Sequence, residues 1–171
     1  MNLKDYIIEV QDFPKKGISF KDITPILNDK KALAHTIRAF SDFAKKIDAN
    51  VIIGPESRGF LFGVPTSYDA NIRFVPARKP GKLPRKVLSE SYDLEYGKNI
   101  LEIHKGDIKK GDRVLIVDDI LATGGTIDAT IELVKRSHAK VVGVGIVVEL
   151  TFLNGFKHVD EEIEKLSLVK Y

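Results

Sequence analysis

The stretch from Val114 to Thr126 reads VLIVDDILATGGT. Its four leading apolar residues predict a buried strand, two acids follow that strand, and a Thr-Gly-Gly-Thr turn leads into a predicted helix. In open parallel sheets, ligands bind beyond the carboxyl ends of the strands. We therefore expect a ligand site where this strand ends.

The two acids and the glycine turn suit different parts of one ligand. Adjacent carboxylates are costly to bring together unless a partner neutralises or hydrogen-bonds them, and sugar hydroxyls with or without a divalent cation would do so. The backbone N–H groups of the turn and the N-terminus of the helix form an anion site. The run therefore predicts a cradle for a phosphorylated ribose. A plain surface turn is the alternative, and neither a P-loop nor a dinucleotide-binding glycine pattern is present.

Outward from this stretch, apolar strands alternate with helices. Strands that are apolar throughout and separated by helices indicate a parallel sheet covered on both sides. We expect an α/β fold with a mostly parallel central sheet flanked by helices. Asn28 or Asp29 can cap one helix, in which Leu33, Ile37, Phe40 and Phe43 repeat at helical spacing. The other predicted helices are 3–10, 59–68 and 126–136, and the predicted strands are 51–53, 72–76, 100–103, 114–117, 141–148 and 166–169.

The segment from Lys79 to Lys98 interrupts this alternation. It has many charges, three glycine or proline turn signals and no continuous apolar pattern. A loop of this length inside a compact domain is usually functional or disordered. We expect a loop here, with 100–103 as the strand that returns from it.

Composition limits the classes of protein that fit. The 171 residues are 43% hydrophobic and 30% charged, which is typical of one soluble globular domain. The net charge of +3 is too small to argue for binding of nucleic acid or a membrane. The absence of cysteine excludes disulfides, thiolate catalysis and cysteine metal sites.

The histidines and the apolar runs add little to the site. His35, His104, His138 and His158 show no spacing typical of metal ligands, and we expect only His104 near the site. The first residues lack the apolar core of a signal peptide. The longest apolar run, 141–148, is too short to cross a bilayer. We expect a cytoplasmic protein.

Five blocks in a fixed order resemble the type I phosphoribosyltransferases, most closely the members that use adenine. The blocks are FPKKGISFKDITP (13–25), ESRGFLFG (56–63), RKPGKLP (78–84), YDLEYG (92–97) and DDILATGGT (118–126). The resemblance implies a single domain, 1–171, with an N-terminal hood at 1–28 and a flexible catalytic loop at 79–99. It also implies a homodimer that converts adenine and 5-phosphoribosyl-1-diphosphate (PRPP), with Mg²⁺, to AMP and diphosphate.

The resemblance assigns the sugar-phosphate half of the site. Asp118 and Asp119 would hold the ribose hydroxyls, and the Mg²⁺ carried by PRPP would lie near them. The 5′-phosphate would be held by Ala122, Thr123, Gly124, Gly125 and Thr126. The diphosphate would be held by Glu56, Ser57, Arg58, Arg78, Lys79, Lys82 and Tyr96. In this family the peptide bond that corresponds to Glu56–Ser57 is cis; Pro55 departs from the small residue expected before it.

The resemblance also assigns the base and the proton. Glu95, in a lid that excludes water, would handle the proton that adenine loses as it is glycosylated. The base would be held by Ile18, Ser19, Phe20 and Lys21, chiefly through backbone groups. Lys21 stands where arginine is frequent in relatives and would contribute charge. We expect Phe20 to pack in the core rather than to stack on the base.

Other interpretations remain open for some of these segments. Taken alone, 78–82 is equally a solvated basic loop, Arg58 a solvated helix start and Glu95 one of many solvated acids. Transfer to a 6-oxopurine is a second enzymatic interpretation, although the hood and 123–126 favour adenine. A regulator that senses a nucleotide and binds nucleic acid is a third. The presence of Glu95 and the lack of room for a DNA-binding module argue against it.

Overall fold

The helices and strands of the central sheet follow in the order that the sequence predicts. Two antiparallel hairpins lie outside that sheet, one in the N-terminal segment and one that includes part of the predicted loop 79–98. The computed structural model describes residues 1–94 and 97–171. The strands are β1 (Ile8–Gln11), β2 (Ser19–Asp22), β3 (Val51–Pro55), β4 (Arg73–Ala77), β5 (Val87–Leu94), β6 (Gly97–His104), β7 (Arg113–Leu121), β8 (Lys140–Glu149) and β9 (Glu164–Lys170). The helices are α1 (Thr24–Asn28), α2 (Lys30–Lys46), α3 (Arg58–Ala70) and α4 (Gly125–Arg136).

Five strands form the central parallel sheet in the order β4-β3-β7-β8-β9. Successive residues of a strand point to opposite faces, so each strand supplies two cores. Val114 and Ile116 belong to one apolar cluster, and Leu115 and Val117 belong to the other. Helix α4 packs on the first face and α2 on the second. The predicted α/β fold with a covered parallel sheet is confirmed.

Helix α2 begins as predicted. The carboxylate of Asp29 accepts hydrogen bonds from the backbone N–H groups of Lys31 and Ala32, at 2.8 and 2.9 Å. A side-chain cap of this kind satisfies N–H groups that have no partner within the helix. The apolar repeat then turns Ile37, Phe40 and Phe43 into the core. Asp29, not Asn28, is therefore the cap.

Two segments differ from the prediction. Residues 3–10 form a short 3₁₀ helix at Leu3–Tyr6 and then β1, because β1 pairs antiparallel with β2 from Ile8 opposite Asp22 to Gln11 opposite Ser19. The segment 79–98 is only partly a loop, since β5 pairs with β6 over its whole length. Leu88 and Tyr92 of β5 pack against the core on the α4 side. These two residues are four apart on one face of β5, with the acid Glu90 between them, so the sequence shows no continuous apolar alternation there.

The carboxyl ends of β3, β4 and β7 meet at one edge of the sheet. The segments that follow these strands carry the predicted site residues, so the parallel topology brings together parts of the chain that are distant in sequence. Glu95 and Tyr96 lie outside the described residues. Within the described part of the chain, no helix combines the length and the apolar character that crossing a membrane requires.

Candidate active site

Two buried acids stand near the end of β7. Asp118 and Asp119 are 8% and 3% exposed, and the N–H of Asp119 donates to Asp118 Oδ1 at 2.9 Å. Burial, and then the neighbouring charge of Asp119, raises the pKa of Asp118 well above its ordinary value. Burial also raises the pKa of Asp119, although the Arg58 guanidinium opposes that rise. Two such groups favour any ligand that brings hydroxyl donors or a cation.

Arg58 is the charge that faces this pair. It is the first residue of α3, and its Nε lies 2.7 Å from Asp119 Oδ2. Despite this ion pair, Asp119 Oδ2 is buried with no hydrogen-bond partner among the described residues. The peptide bond just before α3, between Glu56 and Ser57, is cis, as predicted, and Pro55 does not prevent it. The pair therefore retains an oxygen able to accept a further hydrogen bond or bind a cation.

The turn after β7 forms a small cavity beside the acids. Residues 122–126, Asp118 and Tyr92 line a space of about 160 Å³. Gly124 has φ +95°, and α4 begins at the next residue, so the first N–H groups of the helix point to this end. A Cβ on Gly124 would lie 2.1 Å from the carbonyl oxygen of Gly155. The turn therefore requires glycine for both its backbone angle and its close contact.

The segment after β4 is held by Glu56. Arg78 donates from Nε and Nη2 to the two oxygens of Glu56 at 3.2 and 3.3 Å, and the N–H of Lys79 donates at 2.9 Å. The N–H of Lys79 and then Arg78 hold the pKa of Glu56 below its ordinary value, against the opposing effect of burial. Lys79 and Lys82 are exposed. The basic segment is thus fixed to the turn that carries the cis bond.

An open pocket lies between the N-terminal hairpin and Arg58. Its volume is about 370 Å³, and its walls are Val10, Phe13, Phe20, Asp22, Ile23, Thr24 and Arg58. The Phe20 ring meets the Phe13 ring edge-on, with 5.1 Å between centroids. The expectation that Phe20 packs in the core is wrong, because it belongs to neither apolar cluster and is half-buried at this pocket. Ile18 is 44% exposed.

Lys21 does not contribute its charge to this pocket. Its side chain leaves the opposite face of β2 from Phe20 and Asp22, and it is 7% exposed. Its Nζ lies 2.8 Å from Glu9 Oε2 and donates to Ser19 Oγ at 3.1 Å. The expectation that Lys21 contributes its charge at the base site is therefore wrong, because that charge is paired with Glu9 on the other face of β2.

Three further residues, His104, Tyr92 and Gly155, have contacts that bear on the predicted site. His104 contacts Arg85 and Asp107 at the base of the β5–β6 hairpin. Tyr92, which was predicted only as part of the lid block 92–97, lines the cavity beside the acids, and Gly155, which had no predicted role, contacts the turn at Gly124. An isolated Asn-Gly pair in a loop carries no signal for a contact with Gly124, which is 31 residues away in the sequence. No group of three or more metal-ligating side chains occurs in 1–94 or 97–171.

Comparisons with known proteins agree on one family. The family model described as phosphoribosyl transferase domain matches residues 20–162. The chain is 51% identical to an adenine phosphoribosyltransferase of Mycoplasma mycoides subsp. mycoides, with 100% of both chains covered. The crystal structure of adenine phosphoribosyltransferase from Thermoanaerobacter pseudethanolicus superposes with a TM-score of 0.94 at 49% identity, covering 99% of this chain and 98% of that one. The structure of the Saccharomyces cerevisiae enzyme, complexed with an imino-altritol bisphosphate and adenine, superposes with a TM-score of 0.92 at 37% identity. The match covers 97% of this chain and 96% of that one.

Proposed function

Because the chain belongs to the phosphoribosyltransferase family, with curated relatives that use adenine, we propose how its residues divide the work of that reaction. The reaction joins adenine to the 5-phosphoribosyl group of PRPP and yields AMP and diphosphate, a step of purine salvage catalysed by a pentosyltransferase. The family and the base predicted from the sequence are confirmed. The buried acid pair beside a glycine turn is the observation that carries the assignment of residues.

The sugar and its phosphate occupy the end of β7. Asp118 and Asp119 accept hydrogen bonds from the two ribose hydroxyls, which supplies the donors that Asp119 Oδ2 lacks among the residues that the structure describes. The 5′-phosphate lies in the cavity formed by Ala122, Thr123, Gly124, Gly125 and Thr126, against the N-terminus of α4. Both contacts hold the ribose so that its anomeric carbon faces the base.

The acid pair also fits a magnesium ion that PRPP brings with it. Mg²⁺ prefers hard oxygen ligands and is usually bound by one or two carboxylates together with substrate phosphates and water. Two buried carboxylates with raised pKa values, one with an oxygen that accepts no hydrogen bond from the described residues, meet that description. When bound, the ion neutralises part of the negative charge of the diphosphate.

The leaving diphosphate meets the loops after β3 and β4. As the anomeric C–O bond breaks, negative charge grows on the diphosphate, so cations placed there stabilise the transition state more than the ground state. Ser57, Arg58, Arg78, Lys79 and Lys82 are the residues that we assign to it. Glu56 takes a positioning role, because its carboxylate is already bonded to the basic segment.

Adenine occupies the pocket of about 370 Å³ under the hood. The ring of Phe20 forms one apolar wall, and the backbone of Ile18, Ser19 and Lys21 supplies donors and acceptors to the base edge. In the S. cerevisiae complex that resembles this chain, adenine is one of the bound ligands. The guanidinium of Arg58 lies between this pocket and the acids, 5.8 Å from the centre of the Phe20 ring.

Glu95 and Tyr96 complete the site in this proposal. The β5–β6 hairpin leads to them from both sides, and Tyr92 on β5 already borders the phosphate cavity. Glu95 takes the proton that adenine loses, and Tyr96 contacts the diphosphate. Transfer proceeds by displacement at the anomeric carbon through an oxocarbenium-like state, with inversion. Excluding water protects that state from hydrolysis.

The same family resemblance is our basis for a cytoplasmic homodimer built from one domain, with a hood at 1–28 and a catalytic loop at 79–99. Helix α3 supports the dimer. Its residues Leu61, Val64 and Tyr68, at one helical face, are 44%, 48% and 90% exposed. Exposed apolar side chains that form a contiguous face typically mark a contact with another molecule.

Two experiments test the proposed function. The purified protein is incubated with PRPP, Mg²⁺ and each purine in turn, and the nucleotide formed is identified. AMP from adenine is expected, and a product from hypoxanthine or guanine alone would reject adenine as the base.

Calorimetry then compares PRPP binding to the wild type and to the double variant Asp118→Asn, Asp119→Asn. Weaker binding by the variant is expected, and unchanged affinity would reject the ribose assignment.

A further inference from the structure

The N-terminal hairpin has an unusual attachment to the rest of the protein. Strands β1 and β2 pair with each other and form a sheet separate from the central one. A two-stranded hairpin is marginally stable by itself in water, so its position depends on side chains that anchor it. All four residues of β1 are exposed, and in β2 Lys21 alone is buried. The buried anchor of the two strands is therefore a lysine.

The ammonium group of Lys21 is enclosed by three partners. Glu9 Oε2 lies 2.8 Å from Nζ, Ser19 Oγ lies 3.1 Å from it, and the ring centre of Tyr171 lies 4.2 Å away. Glu9 and Ser19 belong to the hairpin itself, on β1 and β2. Tyr171 does not, so its ring is the contact through which the buried charge joins the hairpin to the sheet.

Tyr171 is itself fixed to the end of the central sheet. Its N–H donates to the carbonyl of Glu149 at 3.0 Å, and its carbonyl accepts from the N–H of Thr151 at 2.9 Å. These bonds hold the residue after β9 against the end of β8. Lys4 lies over the same ring, 4.3 Å from its centre. The aromatic ring is thus a rigid surface to which cations from the N-terminal segment bind.

Side chains of β2 alternate between this contact and the base pocket. Lys21 points to Tyr171, while Phe20 and Asp22 line the pocket from the opposite face. A shift of the hairpin at Lys21 therefore moves the wall of the pocket by the same amount. We propose that the side chains of Lys21 and Tyr171 form a positioning pair that sets the base-binding wall, and so controls affinity for adenine although neither side chain touches the base. This inference rests on the proposed function for the identity of the base.

The chemistry of the pair explains why it holds position and does more than fill space. A buried ammonium is tolerated where a carboxylate and hydrogen-bond acceptors surround it, and it loses that support if it moves. The aromatic face adds an attraction that depends on the distance from the ring. An apolar anchor would allow sliding, whereas this arrangement has one favourable geometry.

Steady-state kinetics separate a positioning role from a general structural one. For Tyr171→Ala and Lys21→Met, we expect KM for adenine to rise about tenfold, while KM for PRPP changes by less than about twofold. Tyr171→Phe keeps the ring and Lys21→Arg keeps the charge, so each should remain within about twofold of the wild type in KM for adenine. Lys4→Met is the matched control, because it removes a cation from the same ring without touching β2.

Hydrogen–deuterium exchange gives a readout that needs no substrate. The amides of residues 8–22 should exchange faster in Tyr171→Ala and Lys21→Met, and the amides of β3 should not. Unchanged exchange in 8–22 would overturn the proposal, as would an equal rise in KM for both substrates. If Tyr171→Ala does not fold, Lys21→Met and the two conservative variants decide. A wild type that makes no AMP would reject the proposed function but leave the exchange result to judge the pair.

Discussion

Arg58 Nε lies 2.7 Å from Asp119 Oδ2, and the same guanidinium lies 5.8 Å from the centre of the Phe20 ring. One side chain therefore touches the acid pair that we assign to the ribose and the aromatic wall that we assign to the base. Because it starts α3 directly after the cis bond, it also lies at the loop assigned to the diphosphate. The residues that we assign to the ribose, the base and the diphosphate therefore all lie close to Arg58.

Replacing Arg58 by Met should weaken PRPP binding by about tenfold to a hundredfold, since a hydrogen bond to a charged group is worth about 1.5–3 kcal/mol. The loss leaves Asp119 without its opposing charge, which adds to the effect. Calorimetric titration with PRPP measures it. Arg38→Met, an exposed arginine of α2, is the control for loss of one positive charge. Equal affinity in the two variants would contradict the role of Arg58.

Asp118→Asn should stabilise the free enzyme at neutral pH. Burial raises the pKa of Asp118 in the folded protein above its unfolded value, so the folded state binds more protons between the two values. Stability therefore falls as the pH rises through that window, and the full penalty remains above it. Removing the charge should raise the melting temperature at pH 7.5 by roughly 2–4 °C, which corresponds to about 1 kcal/mol in a chain of this size.

Thermal unfolding from pH 3 to pH 8 checks the direction in which the stability difference changes with pH. The gap between Asp118→Asn and the wild type should shrink below pH ~4, where the unfolded carboxyl is also protonated. The exposed Asp42→Asn serves as the control. A gap that stays constant across the range would show that the substitution acts through packing and not through the charge.

Gly124→Ala should destabilise the protein more than Gly106→Ala does. The two glycines have almost the same backbone angle, φ +95° and +94°, but nothing lies within 4 Å of a Cβ at Gly106. Strain at positive φ costs about 1–2 kcal/mol, which both variants share. The clash with the Gly155 carbonyl should add about 1–3 kcal/mol at Gly124 alone. Urea unfolding measures both, and equal losses would contradict the contact with Gly155.

Glu95→Gln should lower kcat by about a hundredfold to ten-thousandfold, the range typical of a lost general acid or base, with KM for PRPP nearly unchanged. The amide keeps the size of the side chain but cannot take the proton from adenine. Single-turnover rates with saturating PRPP give the chemical step directly. Glu90→Gln, on β5 and paired with Arg136, controls for a change of charge in this region. Unaltered turnover would remove Glu95 from the mechanism.

Val64→Glu should convert the dimer that we propose to a monomer. A carboxylate in the apolar face of α3 would have to lose its water to enter an interface, which is unfavourable without a partner. Light scattering after size-exclusion chromatography measures the mass. Phe152→Glu changes another exposed apolar side chain, 73% exposed and outside α3, and should leave the mass unchanged. A wild type that is monomeric at micromolar concentration would reject the dimer itself.

The sequence predicted those parts of the molecule whose structure depends on local pattern. The apolar runs placed the central strands, and the acids of β7 with the glycines after it predicted a ligand-sized cavity, which the structure has at that point. Phe20 and Lys21 were misplaced for one reason: β2 forms only because β1 pairs with it, and strand pairing decides which side chains face the pocket. The contact between Gly124 and Gly155 was invisible because it depends on where the chain returns after β8.

The separate two-stranded sheet has a consequence for redesign. The groups that we assign to the sugar phosphate lie on β7 and the turn after it, whereas most of the wall that we assign to the base comes from residues 10–24. To make this protein accept a different nucleobase, the β1–β2 hairpin can be exchanged as a unit while the carboxyl edge of the central sheet is left unchanged. Residue 171 has to be chosen together with the new hairpin, because a hairpin without a matching aromatic contact at that position would hold its base-binding side chains in the wrong place.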